Sequence, residues 1–260
     1  MREKLVFFMI FSLTVATAGA SSFEAQSDAR DYLVITHANV IDGVSDQPLR
    51  DATLIVRNGR IESVQATKVE PPAGATLIDL KGGWLLPGFV DAHVHVTDLR
   101  AARAALRSGA TTLRSMGVSH FVDKGIGELN RAGVSDLPDV VAAGYHVRPR
   151  PAEEFFLTFP NLKNMMGGLS GPDSVRRAVR AMIDRGAEVI KIMATERAGL
   201  PDTDPRKRVF SDEELAAAVD EARKSGIFVA AHAHGDEGAR AAVRAGVRSI
   251  EHGTYLSDET

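Results

Sequence analysis

The chain has 260 residues, with 31 Lys and Arg against 34 Asp and Glu, a formal charge of −3 at pH 7. Hydrophobic residues make up 44% and charged residues 25%, a globular balance that excludes a disordered acidic chain and a basic nucleic-acid binder. Without cysteine there is no disulfide, zinc–thiolate site or thiol nucleophile, so a metal has to be held by His, carboxylates or a less common donor.

Residues 1–20 combine a basic start, an uncharged and mostly apolar run over 5–17, and a small-residue ending at Ala18-Gly19-Ala20. This pattern predicts a signal peptide, too short to span a bilayer comfortably, and hence a secreted or periplasmic protein with no membrane attachment after cleavage. Residues 21–86 read as short strands at 32–35, 52–57, 60–65 and 75–80, separated by Asp42-Gly43, Asn58-Gly59 and Pro71-Pro72. Asn58-Gly59 between two β-rich runs is a strong hairpin signal, since both turn residues tolerate positive φ. A small antiparallel β unit is expected here.

Over 87–260 the rhythm changes. Arg107-Ser108-Gly109, Asp184-Arg185-Gly186, Lys224-Ser225-Gly226 and Arg244-Ala245-Gly246 each read as a helix end with glycine at the left-handed cap. β-rich segments follow each of them, at 111–115, 188–193, 227–232 and 248–252, and a further strand is expected at 140–143 after a helix within 121–132. Ser211 and Glu214 have the spacing of a capping box that opens a helix over 211–224. Strands alternating with helices predict βαβ units and a parallel sheet, and thus an α/β fold of (β/α)8 TIM-barrel type. An open doubly wound sheet would want a glycine-rich turn where His93-Val94-His95 stands.

Lys191, His232 and His252 each follow a cap glycine by about one strand length at ~3.3 Å per residue. They are therefore expected at the C-terminal strand ends, the face on which barrels of this type carry their active sites. In LLPGFVDAHVHV (85–96), Asp91, His93 and His95 would share one strand face. Such a pair of histidines can bind one metal ion with Asp91 as a hydrogen-bond partner, or can simply be two polar residues at a strand end. Ile190 and Ile192 would turn Lys191 inward, where a lone ammonium is costly. Two readings stand open there: an ion pair with an inward carboxylate such as Asp91, or a neutral amine that captures CO2 as a carbamate.

PGFVDAHVH, VIKIMAT, VAAHAHG and SIEHGT, in this order, resemble the metal-dependent amidohydrolase superfamily, nearest to its imidazolonepropionase-like and Xaa-Pro-dipeptidase-like branch, over residues 31–260. The resemblance implies a barrel beside a composite β-sandwich to which 21–86 contributes. It implies two divalent cations, zinc first with Mn, Co or Fe as alternatives: His93 and His95 on one, His232 and His252 on the other, and Lys191 bridging as its CO2-derived carbamate. It places His234, and more remotely His146, in the substrate pocket as catalytic-site residues, and leaves His37 and His120 structural. Ser115 stands where this branch often has Asp, and 145–160 departs from its Gly-rich loop, both of which bear on specificity. The implied activity is hydrolysis of C–N amide bonds in dipeptide or N-acyl amino acid substrates by metal-activated hydroxide. Lactone or ester hydrolysis on the same site and a non-catalytic truncated barrel are the alternatives. The family's last-strand Asp is not matched and about six strands are counted, so the expectation is an N-terminal part of a longer protein, poorly soluble or inactive alone. The expected partner is a small-molecule substrate, with no nucleic acid, and a homo-oligomer is left open.

Overall fold

The structure, a computed structural model, describes residues 32–66 and 69–260; the signal segment expected at 1–20 lies outside them. The chain divides into two compact units, Met1–Pro87 and Gly88–Thr260.

In the first unit, β1 (Tyr32–Val40), β2 (Leu49–Arg57), β3 (Arg60–Gln65), β4 (Thr76–Asp79) and β5 (Trp84–Leu85) form one sheet in the order β3-β2-β1-β4, with β5 also on β1. The hairpin expected at Asn58-Gly59 is present: Arg57 faces Arg60, and the two turn residues have φ of 50° and 72°. The expected antiparallel pairing holds for β1 to β3 but is corrected at β4 and β5, which run parallel to β1. Pro71-Pro72 lacks the backbone N–H groups of a tight hairpin, and the chain crosses to the far side of β1 instead of doubling back.

The second unit alternates strand and helix. Its strands are β6 (Phe89–Val94), β7 (Ala110–Ser115), β8 (Asp139–Ala142), β9 (His146–Val147), β10 (Ile190–Met193), β11 (Val229–Gly235) and β12 (Ser249–Tyr255). Its helices are α1 (Leu99–Arg107), α2 (Val122–Arg131), α3 (Glu153–Thr158), α4 (Pro172–Asp184), α5 (Asp212–Arg223) and α6 (Asp236–Ala245). All strand pairs here are parallel, in the orders β6-β7-β8 and β9-β10-β11-β12. The two sheets meet where the Glu188 N–H donates to the Ala142 carbonyl (2.8 Å) and the Ala142 N–H donates to the Glu188 carboxylate (3.1 Å). The strands thus follow one another in sequence order, as the βαβ reading requires, but β6 and β12 do not pair, so no closed barrel is formed by the described residues.

The cap glycines behave as expected: Gly109, Gly186, Gly226 and Gly246 have φ between 69° and 101°, a region open to residues without Cβ. β11 and β12 run on to Gly235 and Tyr255, beyond the ends expected at His232 and His252, across an irregularity in their register between Ala233 and Gly235. The main core packs α4, α5 and α6 on one face of β10 and β11 through Val175, Val179, Met182, Ile190, Ile192, Leu215, Val219 and Ala231. At the start of α5, Ser211 accepts from the Glu214 N–H (3.2 Å) while the Glu214 carboxylate accepts from the Ser211 N–H (2.8 Å). Ser211→Ala is expected to cost about 1 kcal/mol by leaving that N–H unpaired, measurable as a lower urea midpoint at constant m-value.

Candidate metal centre

Strand alternation separates the site from the core. Ile190 and Ile192 are buried against the helices, while Lys191 turns to the opposite face and is 1% exposed. In β11, Val229, Ala231 and Ala233 belong to the helix-side core, and His232 and His234 face a cavity of about 240 Å³. His93 of β6, His95 just beyond it, His146 of β9 and His252 of β12 line the same cavity, as does Lys191. Every metal-site and pocket residue expected from the sequence is therefore brought to one place.

The rings are close. Centroids lie 4.7 Å apart for His93 and His252, 4.7 Å for His232 and His252, 5.5 Å for His93 and His95, and 5.8 Å for His95 and His146. His234 stacks on His252 at 4.9 Å and 16°. One ring nitrogen from each of His232, His234 and His252 lies within 4.8 Å of the others, which sets His234 directly beside the expected pair.

Neighbouring groups fix the rings. His93 Nδ1 lies 2.5 Å from Glu251 Oε2, and His95 Nδ1 lies 2.8 Å from the Gly117 carbonyl; both acceptors call for a proton on Nδ1 and leave Nε2 for the cavity. His232 is held the other way round, with Nε2 on the Glu196 carbonyl at 3.2 Å, and His234 Nδ1 meets Thr254 Oγ1 at 3.0 Å. Gly117 is required by both conformation and space: its φ is 127°, and a Cβ there would overlap the His146 ring.

The sequence reading missed Glu251. Its carboxylate, 5% exposed, receives Arg114 Nη2 (2.8 Å), Ser249 Oγ (2.6 Å) and the His93 ring. In a regular strand Glu251 and His252 point to opposite faces, so choosing His252 for the cavity removes Glu251 from it. His252, however, has φ 79° and is followed by Gly253 at φ 63°, and with this kink His252 lines the cavity while Glu251 reaches the His93 ring behind it. A left-handed histidine is strained by roughly 1–3 kcal/mol. Period two from Ser249 would have found Glu251. Asp91 is corrected: it is exposed and, among the described residues, its side chain accepts only the His93 backbone N–H (3.1 Å), as the β6 register breaks between Asp91 and Val94.

Electrostatics suits this ring set to cation binding. Burial, then the charge of Lys191, pushes His146 down to about 3 and His252 to about 4; burial likewise brings His232 to about 3. These imidazoles are neutral at pH 7, the state in which they ligate. Burial also lowers Lys191 to about 8, against the pull of Glu251 and with the help of Arg114. Its Nζ is buried with no hydrogen-bond partner among the described residues, a donor awaiting a counterpart.

A parallel run of βα units with clustered imidazoles and a buried amine beside its strand C-termini defines an α/β protein with a candidate metal centre. The chain belongs to the amidohydrolase family, whose model matches residues 84–259. It is 29% identical to ochratoxinase of Aspergillus niger over 278 residues, covering 90% of this chain and 57% of that protein. Among solved structures it resembles a Xaa-Pro dipeptidase with bound methionine (TM-score 0.76, 28% identity, 88% of this chain and 63% of that one). It also resembles a prolidase complexed with N-methylphosphonate-L-proline (TM-score 0.73, 28% identity, 88% and 62%). The chain thus spans about 60% of the length of these relatives.

Proposed function

We propose that the protein hydrolyses C–N amide bonds in small dipeptide or N-acyl amino acid substrates at a centre of two divalent cations. The carrying observation is the buried Nζ of Lys191, without a hydrogen-bond partner among the described residues, in a cavity lined by six histidines, four of which have a ring nitrogen engaged. His93 and His95 would hold one cation, His232 and His252 the other, and Lys191, as its carbamate, would bridge them. Cations of this kind lower the pKa of water and polarise a carbonyl when bound. Imidazole and carboxylate-like donors suit zinc, our first choice, as well as Mn, Co or Fe. His234 and His146, both on the cavity wall and both held below the usual histidine range by burial, would orient the substrate as neutral rings. Likeness to a Xaa-Pro dipeptidase and a prolidase supports the substrate class. The expected setting is outside the cytoplasm, after removal of residues 1–20.

The test uses the full-length protein prepared with zinc and bicarbonate. It is expected to carry two metals per chain by mass spectrometry and to cleave amides in a dipeptide panel, with turnover lost to a chelator. Fully loaded protein that cleaves matched esters but no amide would overturn the C–N assignment.

A further inference from the structure

A second chamber, of about 560 Å³, adjoins the histidine cavity and shares His146, Met193 and Arg197 with its wall. That volume is ordinary for a small-molecule site. Its lining is strongly cationic: Arg148, Arg150, Arg197, Lys207 and Arg208, against a single carboxylate, Glu196. Glu196 is already taken, with Oε1 2.8 Å from Lys207 Nζ and Oε2 accepting the Asp204 N–H at 2.8 Å. Arg208 is satisfied by Asp212 (2.6 Å) and the Phe210 carbonyl (2.5 Å). Arg148 and Arg197, by contrast, have no ion pair and no side-chain hydrogen bond among the described residues. Arg148 is half-buried, and its desolvation together with the charge of Arg197 holds it below the usual arginine range. Arg148 thus loses hydration and is repelled by the exposed Arg197 across the same chamber, with no ion-paired carboxylate on either among the described residues, a cost that a bound anion reverses. Arg197 lies on both walls, so an anion held there sits beside the histidine centre.

We propose that Arg148 and Arg197 form a carboxylate subsite that makes a free substrate carboxylate a requirement for productive binding. The inference rests on the hydrolase reading above and deepens it. The planar fork of each guanidinium matches a carboxylate, and Met193, Leu200 and Val209 supply apolar wall for the carbon skeleton that bears it. A substrate would then span the two cavities, with its amide at the histidines and its carboxylate between the arginines.

The experiment compares N-acetyl-L-methionine and N-acetyl-L-proline with their carboxamides in the full-length, zinc-loaded protein, and titrates the same four compounds calorimetrically into metal-free protein. The acids are expected to exceed the carboxamides in kcat/KM and affinity by about 10- to 100-fold, the range of hydrogen bonds to a charged group. In Arg148→Gln and Arg197→Gln that preference collapses, while Arg197→Lys retains part of it. Equal handling of acid and carboxamide by the wild-type protein overturns the subsite and leaves the hydrolase reading intact. Acid-selective binding without turnover of any compound supports the subsite while the hydrolase reading fails. Absence of acid binding to the wild-type protein overturns the proposal, whatever the variants do.

Discussion

Lys191→Met is expected to stabilise the metal-free protein at pH 7 while abolishing metal uptake and turnover. The amine is 1% exposed, unpartnered, and lowered to about 8 from the ordinary 10.5. That gap corresponds to roughly 3 kcal/mol carried by the fold whenever the amine is protonated. Methionine has a similar length and nothing to solvate, so exchanging a buried charge for an apolar side chain removes the cost. The direction with pH follows from linkage: the cost is full below about 8 and fades towards 10.5, as the native state sheds its proton before the unfolded chain does. The Met variant is expected to exceed wild type by about 2–3 kcal/mol at pH 7 and by much less at pH 10, read from urea midpoints. On the bridging role proposed for Lys191, kcat/KM is expected to fall at least ~10³-fold, about 4 kcal/mol of transition-state stabilisation. A variant that is less stable at pH 7, or that keeps the wild-type metal content, would refute the role given to Lys191.

Glu251→Gln tests the network that the sequence hid. Glutamine can keep the contacts to Arg114 and Ser249, but it replaces the negative acceptor that holds the His93 ring. Metal affinity is expected to weaken by about 10- to 100-fold, the usual effect of losing a partner behind a ligand. Glu251→Ala goes further, because Arg114 then keeps only the Ala92 carbonyl and a longer bond to Ser249, at a cost of about 3 kcal/mol. Burial raises Glu251, but hydrogen bonds from Ser249 and His93 and the charges of Arg114 and Lys191 outweigh it, leaving it below the usual 4.5. Its contribution is therefore present above pH 4.5 and lost as pH falls through the depressed value. Wild type should lose stability more steeply than either variant in that acid range. Parallel acid profiles for all three would remove Glu251 from the network.

Much of this was legible locally. Cap glycines and strand length located Lys191, His232 and His252, and two flanking isoleucines were enough to turn Lys191 inward. The hairpin at Asn58-Gly59 and the capping box at Ser211 are equally local, and both are present. What escaped depends on departures from regular backbone or on distant residues. The kink at His252 conceals Glu251, the register break in β6 removes Asp91, and parallel β4 depends on a crossover that no turn signal announces. The cationic chamber draws Arg148 and Arg197 from different βα connections, each ordinary in its own stretch of sequence.

The bond from His93 to Glu251 joins positions 158 residues apart, from the first strand of the second unit to its last. Neighbouring parallel strands can associate stepwise through short closures, whereas this contact must await a loop on the scale of the whole unit. The complete histidine cavity, with His93 seated on Glu251, is therefore expected to form late in folding. In stopped-flow refolding, backbone signals should develop first, and a fluorescent indicator competing for zinc should lose it only when β12 docks, so that cation capture acts as a clock for the final step.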